Sequence, residues 1–173
     1  MSKSVELRRH TDNDGDVLSA DGVAAALEIG KGLRGRYDLA VSSGAQRATQ
    51  TIACFLATLG QEVRGGVIVD TRFRSSVEDR WRAAFERAGA GDIASLRSVD
   101  PELVDSEARV LAAALEDVFT GLSDAGLALV VGHSPMQEAA VYGLTGQIVE
   151  PLKKGAGVLV TETDGEYSVK AIG

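Results

Sequence analysis

Two rhythms of apolar residues run along this chain. Short, nearly unbroken apolar runs read as buried strands, and longer stretches with apolar residues three and four apart read as amphipathic helices. Ser4 to Arg9 reads as a first strand. Ser19 can cap a helix running to about Arg34, with Val23, Leu27, Gly30 and Leu33 on one face. Asp38 to Ser42 is a second strand. The helix after it places Ala45, Ala48, Ile52, Phe55, Leu56 and Leu59 at helical spacing, and Gly60 stops it. Val67 to Val69 is a third, short strand. Residues 70 to 100 are polar and arginine-rich, with one helix predicted around Val77 to Ala88. From Glu107 to Leu122 the pattern is strongly amphipathic, with Ala108, Leu111, Leu115, Val118, Phe119 and Leu122 on one face. Leu127 to Val131 is nearly all apolar, as a strand covered on both faces should be. A helix is expected from about Pro135, a good first-turn residue, to Leu144. Gly157 to Thr163 and Tyr167 to Ala171, joined by Asp164-Gly165, read as a closing hairpin. This alternation predicts one α/β domain over residues 1–173. Its expected architecture is three-layer α/β/α, with a mostly parallel sheet between helices and an antiparallel edge.

Composition narrows the function classes. A chain of 173 residues that is 45% hydrophobic can bury a full core. No apolar run approaches the roughly 20 residues that span a bilayer. The N-terminus passes from Met1-Ser2-Lys3-Ser4 into a strand-like segment without a signal-peptide apolar region. The single cysteine, Cys54, cannot form an internal disulfide, which points to a reducing cytoplasm. Its place in an apolar helical pattern assigns it to the core. A net charge of −7 with no basic arm argues against nucleic-acid and anionic-membrane partners. An anionic substrate would therefore need a local positive pocket.

Candidate chemistry lies at two strand ends. Leu7-Arg8-Arg9-His10 closes the first apolar run and Val130-Val131-Gly132-His133-Ser134 closes the last long one. They carry the only two histidines of the chain. In open α/β sheets, sites form at the carboxyl ends of strands. Two histidines at one such edge, with Arg9 beside the first, suggest a nucleophile and an anion pocket. The second strand ends in Ser42-Ser43-Gly44-Ala45-Gln46-Arg47-Ala48-Thr49-Gln50-Thr51. Arg47 falls in the first turn of the next helix, where the helix dipole disfavours a cation. A bound anion, shared with the backbone N–H groups, explains an arginine there better.

Arg9-His10, the Ser43-x-x-x-Arg47-Ala48-x-x-Thr51 block and Gly132-His133 together resemble the histidine phosphatase superfamily, with its phosphoglycerate-mutase-like fold. Each motif alone is weak; their order and spacing over most of the chain are specific. The resemblance implies that His10 attacks phosphorus and becomes a phosphohistidine, while Arg9, Arg47 and His133 bind the phosphoryl oxygens. The residue types suit that chemistry. Phosphoryl transfer is mostly positioning and charge stabilisation. Arginines offer forked donors matched to phosphate oxygens. A neutral imidazole is a nucleophile near pH 7, and a second, protonated imidazole can donate to the transferring group. No cofactor or metal is implied; two histidines among arginines make a poor cation site.

The chain departs from the family pattern in two places. Thr11 stands where the family usually has Gly after the nucleophile; it either donates its hydroxyl to phosphate or merely turns the chain. Thr11, Asn13 and Ser134, flanking the two histidines, are candidate substrate-binding residues. Asp12-Asn13-Asp14-Gly15-Asp16 reads first as a solvated turn, and alternatively as an acidic gate. The second departure concerns the general acid. If Phe73 takes the family's leucine place, the acid position falls on Ser75, and Glu78 is the nearest carboxylate, with Asp79 next. Glu78 is either that acid or a solvated helix-start residue. Members resembling phosphohistidine phosphatases manage without this acid. Arg72, Arg74, Arg80 and Arg82 read as a solvated face, or as a rim for a second anionic group. Trp81 belongs to the core or the pocket edge; Met136 and Tyr142 read as core.

The expected function is a metal-independent phosphatase acting on a phosphorylated small molecule or a phosphoprotein. Family mutases carry additional shielding segments, whereas here the fold fills about 170 residues and ends at Gly173, so water should reach the intermediate. The alternatives are a catalytically weak phosphate-binding or regulatory protein and, behind it, a phosphoglycerate-type mutase.

Overall fold

The nearly all-apolar run Leu127 to Val131 becomes the middle of a sheet. The computed structural model describes residues 1–33 and 35–173. In chain order the elements are β1 (Ser2–Arg9), β2 (Asn13–Asp14), β3 (Val17–Leu18), α1 (Ala20–Gly32), β4 (Leu39–Ser42), α2 (Gln46–Leu59) and β5 (Val67–Val69). A single 3-10 turn (Thr71–Phe73) follows, then α3 (Glu78–Ala88), α4 (Ile93–Val99), α5 (Pro101–Thr120), β6 (Leu127–Gly132), α6 (Met136–Thr145), β7 (Gly157–Thr163) and β8 (Glu166–Ile172). The described residues form a six-stranded sheet in the order β5-β4-β6-β1-β7-β8. β5, β4, β6 and β1 are mutually parallel, and β7 and β8 add the antiparallel edge.

Strand alternation divides the core between two faces. Val5, Leu7, Val41, Ala128 and Val130 pack with Leu103, Leu111 and Leu115 of α5 and with α3, α4 and α6. Ala40, Leu129 and Val131 pack on the other side with Ala26 of α1 and Ala48, Ile52 and Phe55 of α2. The result is the expected three-layer α/β/α arrangement. Among the described residues, no helix is long and apolar enough to cross a membrane.

Three local expectations change. The apolar face assigned to α1 is only partly the buried one: Gly30 is buried and Leu33 packs on the core, but Val23 and Leu27 are exposed, and Gly22 and Ala26 face inward in their place. Close approach is the reason. A Cβ at Gly22 would lie 1.9 Å from the Asp12 carbonyl oxygen, and one at Gly30 would lie 2.8 Å from Thr58 Cβ. Ser19 caps α1 as expected, accepting from Gly22 N–H, while the expected end near Arg34 lies outside the described residues. The polar window holds a second helix, α4, started by the Asp92 carboxylate on Ser95 N–H and buried through Ile93 and Leu96. Asp100 and Pro101 then start α5 six residues before Glu107, with Asp100 accepting from Leu103 N–H. Cys54 is only half-buried, against the α1–α2 layer.

Candidate active site

Parallel pairing brings three strand ends level. Arg9 of β1 is in register with Gly132 of β6, and Ser42 of β4 with Val131. The ladder continues one residue further on each side: His10 N–H donates to Gly132 O at 3.0 Å, and Ser43 N–H to Val131 O at 3.2 Å. The two histidines therefore leave neighbouring strands side by side. Their ring centroids are 5.2 Å apart at 65°. Both are buried, at 5% and 6% exposure.

Hydrogen bonds define which nitrogen of each ring carries hydrogen. His10 Nδ1 lies 2.7 Å from the Thr11 carbonyl, which can only accept, so Nδ1 holds the hydrogen. Nε2 then presents a lone pair, and Arg47 Nε–H donates to it at 3.2 Å. Burial lowers the His10 pKa to about 4; the Thr11 carbonyl opposes this, and the charges of Arg47, Arg9 and Lys154 reinforce it. His10 is thus a neutral imidazole at pH 7, with its lone pair on Nε2 facing the Arg47 guanidinium. For His133, Arg47 Nη2 donates to Nδ1 at 3.3 Å, so Nε2–H points to Ser43 Oγ at 2.8 Å. Burial first, then Arg47 and His10, lower His133 to about 3. His133 is here a neutral imidazole that accepts from Arg47.

Arg47 sits at the second position of α2, whose first turn carries no acidic side chain and no side-chain cap. Its third nitrogen, Nη1, donates to Asp16 Oδ1 at 2.8 Å. Residues 12–16 form the exposed turn expected of them, and one of its carboxylates also reaches the site. β2 and β3 close a small hairpin, with Gly15 at φ +64°, and the hairpin swings Asp16 onto Arg47. Asp12 is engaged elsewhere, accepting from Ser19 Oγ and Lys154 Nζ.

A cavity of about 600 Å³ opens over these groups. Arg9, His10, Asn13, Arg47, Glu78, His133 and Ser134 all line it. Thr11 is the exception among the residues singled out from the sequence. It is buried and its Oγ1 donates to Gly22 O at 2.8 Å, so the hydroxyl ties the chain to α1 rather than serving the pocket. Asn13 donates to Gly15 O at 2.7 Å and accepts from Lys154 at 3.1 Å. Glu78 opens α3 at the cavity wall and accepts from Arg74 Nε at 3.2 Å. Ser75 turns away from the cavity, donating to Glu107, which also accepts Trp81 Nε1–H at 3.2 Å. Among the described residues, no three His, Cys, Asp or Glu side chains gather as metal ligands.

Behind Arg9 lies a carboxylate that the sequence reading missed. Glu138 is 1% exposed. Burial raises its pKa, opposed by the hydrogen bond from Ser134 and by nearby Arg9. Its Oε2 accepts from the Ser134 hydroxyl and from Leu152 N–H, while Arg9 Nη1 donates to the Leu152 carbonyl at 3.0 Å. Ser134 thus borders the pocket with its hydroxyl hydrogen turned toward Glu138. The spacing of four between Ser134 and Glu138 was the available signal; Leu152, which brings the segment together, is far away in sequence.

No protein-family model matches this chain, and no curated protein matches it. Solved structures do. A phosphoglycerate mutase from Bacillus anthracis superposes with a TM-score of 0.75 at 17% identity, covering 99% of this chain and 92% of that one. A phosphoserine phosphatase from Entamoeba histolytica, in complex with 3-phosphoglyceric acid, gives 0.75 at 13% identity, covering 99% and 97%. The putative phosphohistidine phosphatase SixA from Agrobacterium tumefaciens gives 0.60 at 16% identity, covering 99% and 98%. With its six-stranded sheet and level strand ends, the chain has the fold of these solved structures, a phosphoglycerate-mutase-like fold.

Proposed function

We propose that this protein is a phosphatase that hydrolyses a phosphomonoester or a phosphohistidine through a covalent phosphohistidine on His10. The observation that carries the reading is the His10 tautomer: Nδ1–H is held by the Thr11 carbonyl, and a buried, uncharged Nε2 faces the Arg47 guanidinium. In the proposed reaction Nε2 attacks phosphorus and the bond to the leaving atom, the ester oxygen or the ring nitrogen of a phosphohistidine, breaks. Glu78 or water protonates that atom. Water then attacks the phosphoryl group and gives its proton to the same carboxylate or to solvent, the P–N bond to His10 breaks, and phosphate leaves with His10 restored. Arg9 and Arg47 neutralise the developing charge. A phosphoryl dianion next to His133 reverses the electrostatics that keep it neutral, so the ring can gain a proton and donate. Two of the solved structures similar to this chain are described as phosphatases, and a third as a putative one, of phosphoserine, glucosyl-3-phosphoglycerate and phosphohistidine.

The competing reading is a phosphate-binding protein with little turnover, motivated by the Asp16 carboxylate on Arg47. Turnover of a generic aryl phosphate in the presence of a chelator, abolished by vanadate, supports the phosphatase. Tight phosphate binding without turnover supports the binder and overturns the proposal.

A further inference from the structure

The cavity has two unlike halves. The inner half is the cluster of Arg9, His10, Arg47 and His133. The outer half is walled by Trp81 and Phe85 of α3, Leu96 of α4, Met136 of α6, and Pro151 and Leu152. Trp81 sends its indole N–H to Glu107, which does not line the cavity, so carbon is what the ring offers there. Phe85 is 53% exposed although it lies on an amphipathic helix whose inward face is Trp81 and Ala84. Its ring lies along the turn after α3: a Cβ on Gly91 would come within 3.2 Å of it. An aromatic residue kept at a cavity mouth, with no core to complete, has an apolar surface to offer a ligand.

The charges of the outer half balance. Arg82 Nη1 donates to Asp79 at 2.9 Å, and Lys154 Nζ donates to Asp12 at 2.9 Å and Asn13 at 3.1 Å. Glu78, on the same wall, adds a negative charge that Arg74 matches. Among the described residues, both cations of the outer wall, Arg82 and Lys154, are thus already paired with a carboxylate at its rim.

Building on the phosphatase reading, we infer that the substrate is a phosphomonoester whose only charged group is the phosphoryl group and whose organic part is apolar. An alkyl chain of several carbons or a single aromatic ring would lie against Trp81, Phe85 and Met136 while the phosphoryl group reaches His10. Polyanionic esters such as a phosphorylated carboxylic acid would place their second charge on this carbon wall, beside Glu78.

The test separates binding from turnover. Alkylphosphonates from methyl to hexyl, which cannot be hydrolysed at the P–C bond, are titrated calorimetrically against the full chain. Each added methylene is expected to tighten binding roughly two- to fourfold, the effect of burying a CH₂ group partly or fully. Phosphonoacetate should bind more weakly than butylphosphonate. In Phe85→Ala the dependence on chain length should flatten. A flat series in the wild type, no binding of any phosphonate, or tighter binding of phosphonoacetate overturns the inference. Kinetics on the matching alkyl phosphates and on a histidine-phosphorylated protein tell the two readings apart. Ester turnover with a flat phosphonate series refutes the apolar wall and leaves the phosphatase standing. A steep phosphonate series without turnover does the reverse. Dephosphorylation of the protein far faster than of any alkyl ester also overturns the inference.

Discussion

Two arginine-bearing regions of this protein use the same side chain in opposite ways. On the segment from the 3-10 turn through α3, Arg72, Arg74, Arg80 and Arg82 are closed on carboxylates. Arg72 bridges Asp70 and Asp117, and Arg80 grips Asp100 with two hydrogen bonds of 2.8 Å. At the sheet edge, Arg47 directs Nε and Nη2 at the two histidines and gives Asp16 one nitrogen. Arg9 turns one nitrogen to a backbone carbonyl, and its Nε has no partner among the described residues. An arginine fully engaged by carboxylates builds structure; an arginine facing neutral nitrogen and carbonyl groups keeps its charge for a ligand. Neighbours in sequence can differ in the same way. Arg8 points to the opposite face of β1 from Arg9, and donates to Glu6 at 2.6 Å and to the carbonyls of Gly155 and Gly173.

The largest effect that would sharpen this contrast is expected at Arg47. Arg47→Ala should lower kcat/KM by roughly two to four powers of ten, the size of a lost transition-state charge clamp. Arg47→Lys should restore little, because a point charge lacks the fork that reaches both rings. Lysine working as well as arginine would break the comparison.

Acidity should act next, and with a definite sign. His10 at about 4 and His133 at about 3 both lie below the ordinary value of 6.5. Between about pH 6.5 and 4 the unfolded chain binds more protons than the folded one, so stability rises with pH across that window and levels off above it. Lowering pH from 7 to 4.5 should cost a few kcal/mol from the two sites together, at about 1.4 kcal/mol per unit of pKa difference. Thermal melts of the wild type and His133→Gln check this: the variant should lose less stability on acidification. For the same reason kcat/KM should keep its acid limb near pH 4, where His10 gains a proton. An acid limb near 6.5 would mean that burial does not hold the ring neutral.

Glu138→Gln should come third. It keeps the shape but replaces the carboxyl that accepts from Ser134 and Leu152 beside Arg9, and should lower kcat/KM by about tenfold, a few-fold more than it changes phosphate affinity. Asp16→Asn should move the other way. Freeing Arg47 Nη1 from a half-exposed partner should tighten inorganic phosphate several-fold, consistent with an exposed pair of roughly 1 kcal/mol. If Asp16→Asn weakens phosphate binding, Asp16 positions Arg47 rather than competing for it. Smallest of all, Arg80→Ala should change kcat/KM by less than about twofold while lowering Tm by a few degrees, since Arg80 ties α3 to the carboxylate that caps α5.

What the sequence revealed of the site follows from locality. A histidine directly after an apolar strand must emerge at that strand's carboxyl end, so His10 and His133 were legible once the sheet was expected to be parallel. Arg47 was legible because a cation in a helix's first turn needs an explanation. The remaining features depend on segments meeting across the fold. Asp16 reaches Arg47 only because a two-residue hairpin closes above the sheet. Glu138 is buried partly by Leu152, which no periodicity links to it. The inner face of α1 was misread because apolar size suggests burial, whereas a close approach selects glycine and alanine there. α4 is short and polar on its outside, and its two buried residues leave too little pattern to see.

The account stands on a phosphoryl group passing through His10 Nε2. Brief reaction with a labelled aryl phosphate, a quench in base and peptide mapping test it directly. The expected result is an acid-labile, base-stable label on the peptide carrying His10, absent in His10→Ala, whose turnover is lost. Turnover at the wild-type rate in His10→Ala, or a label on any other residue, would contradict it.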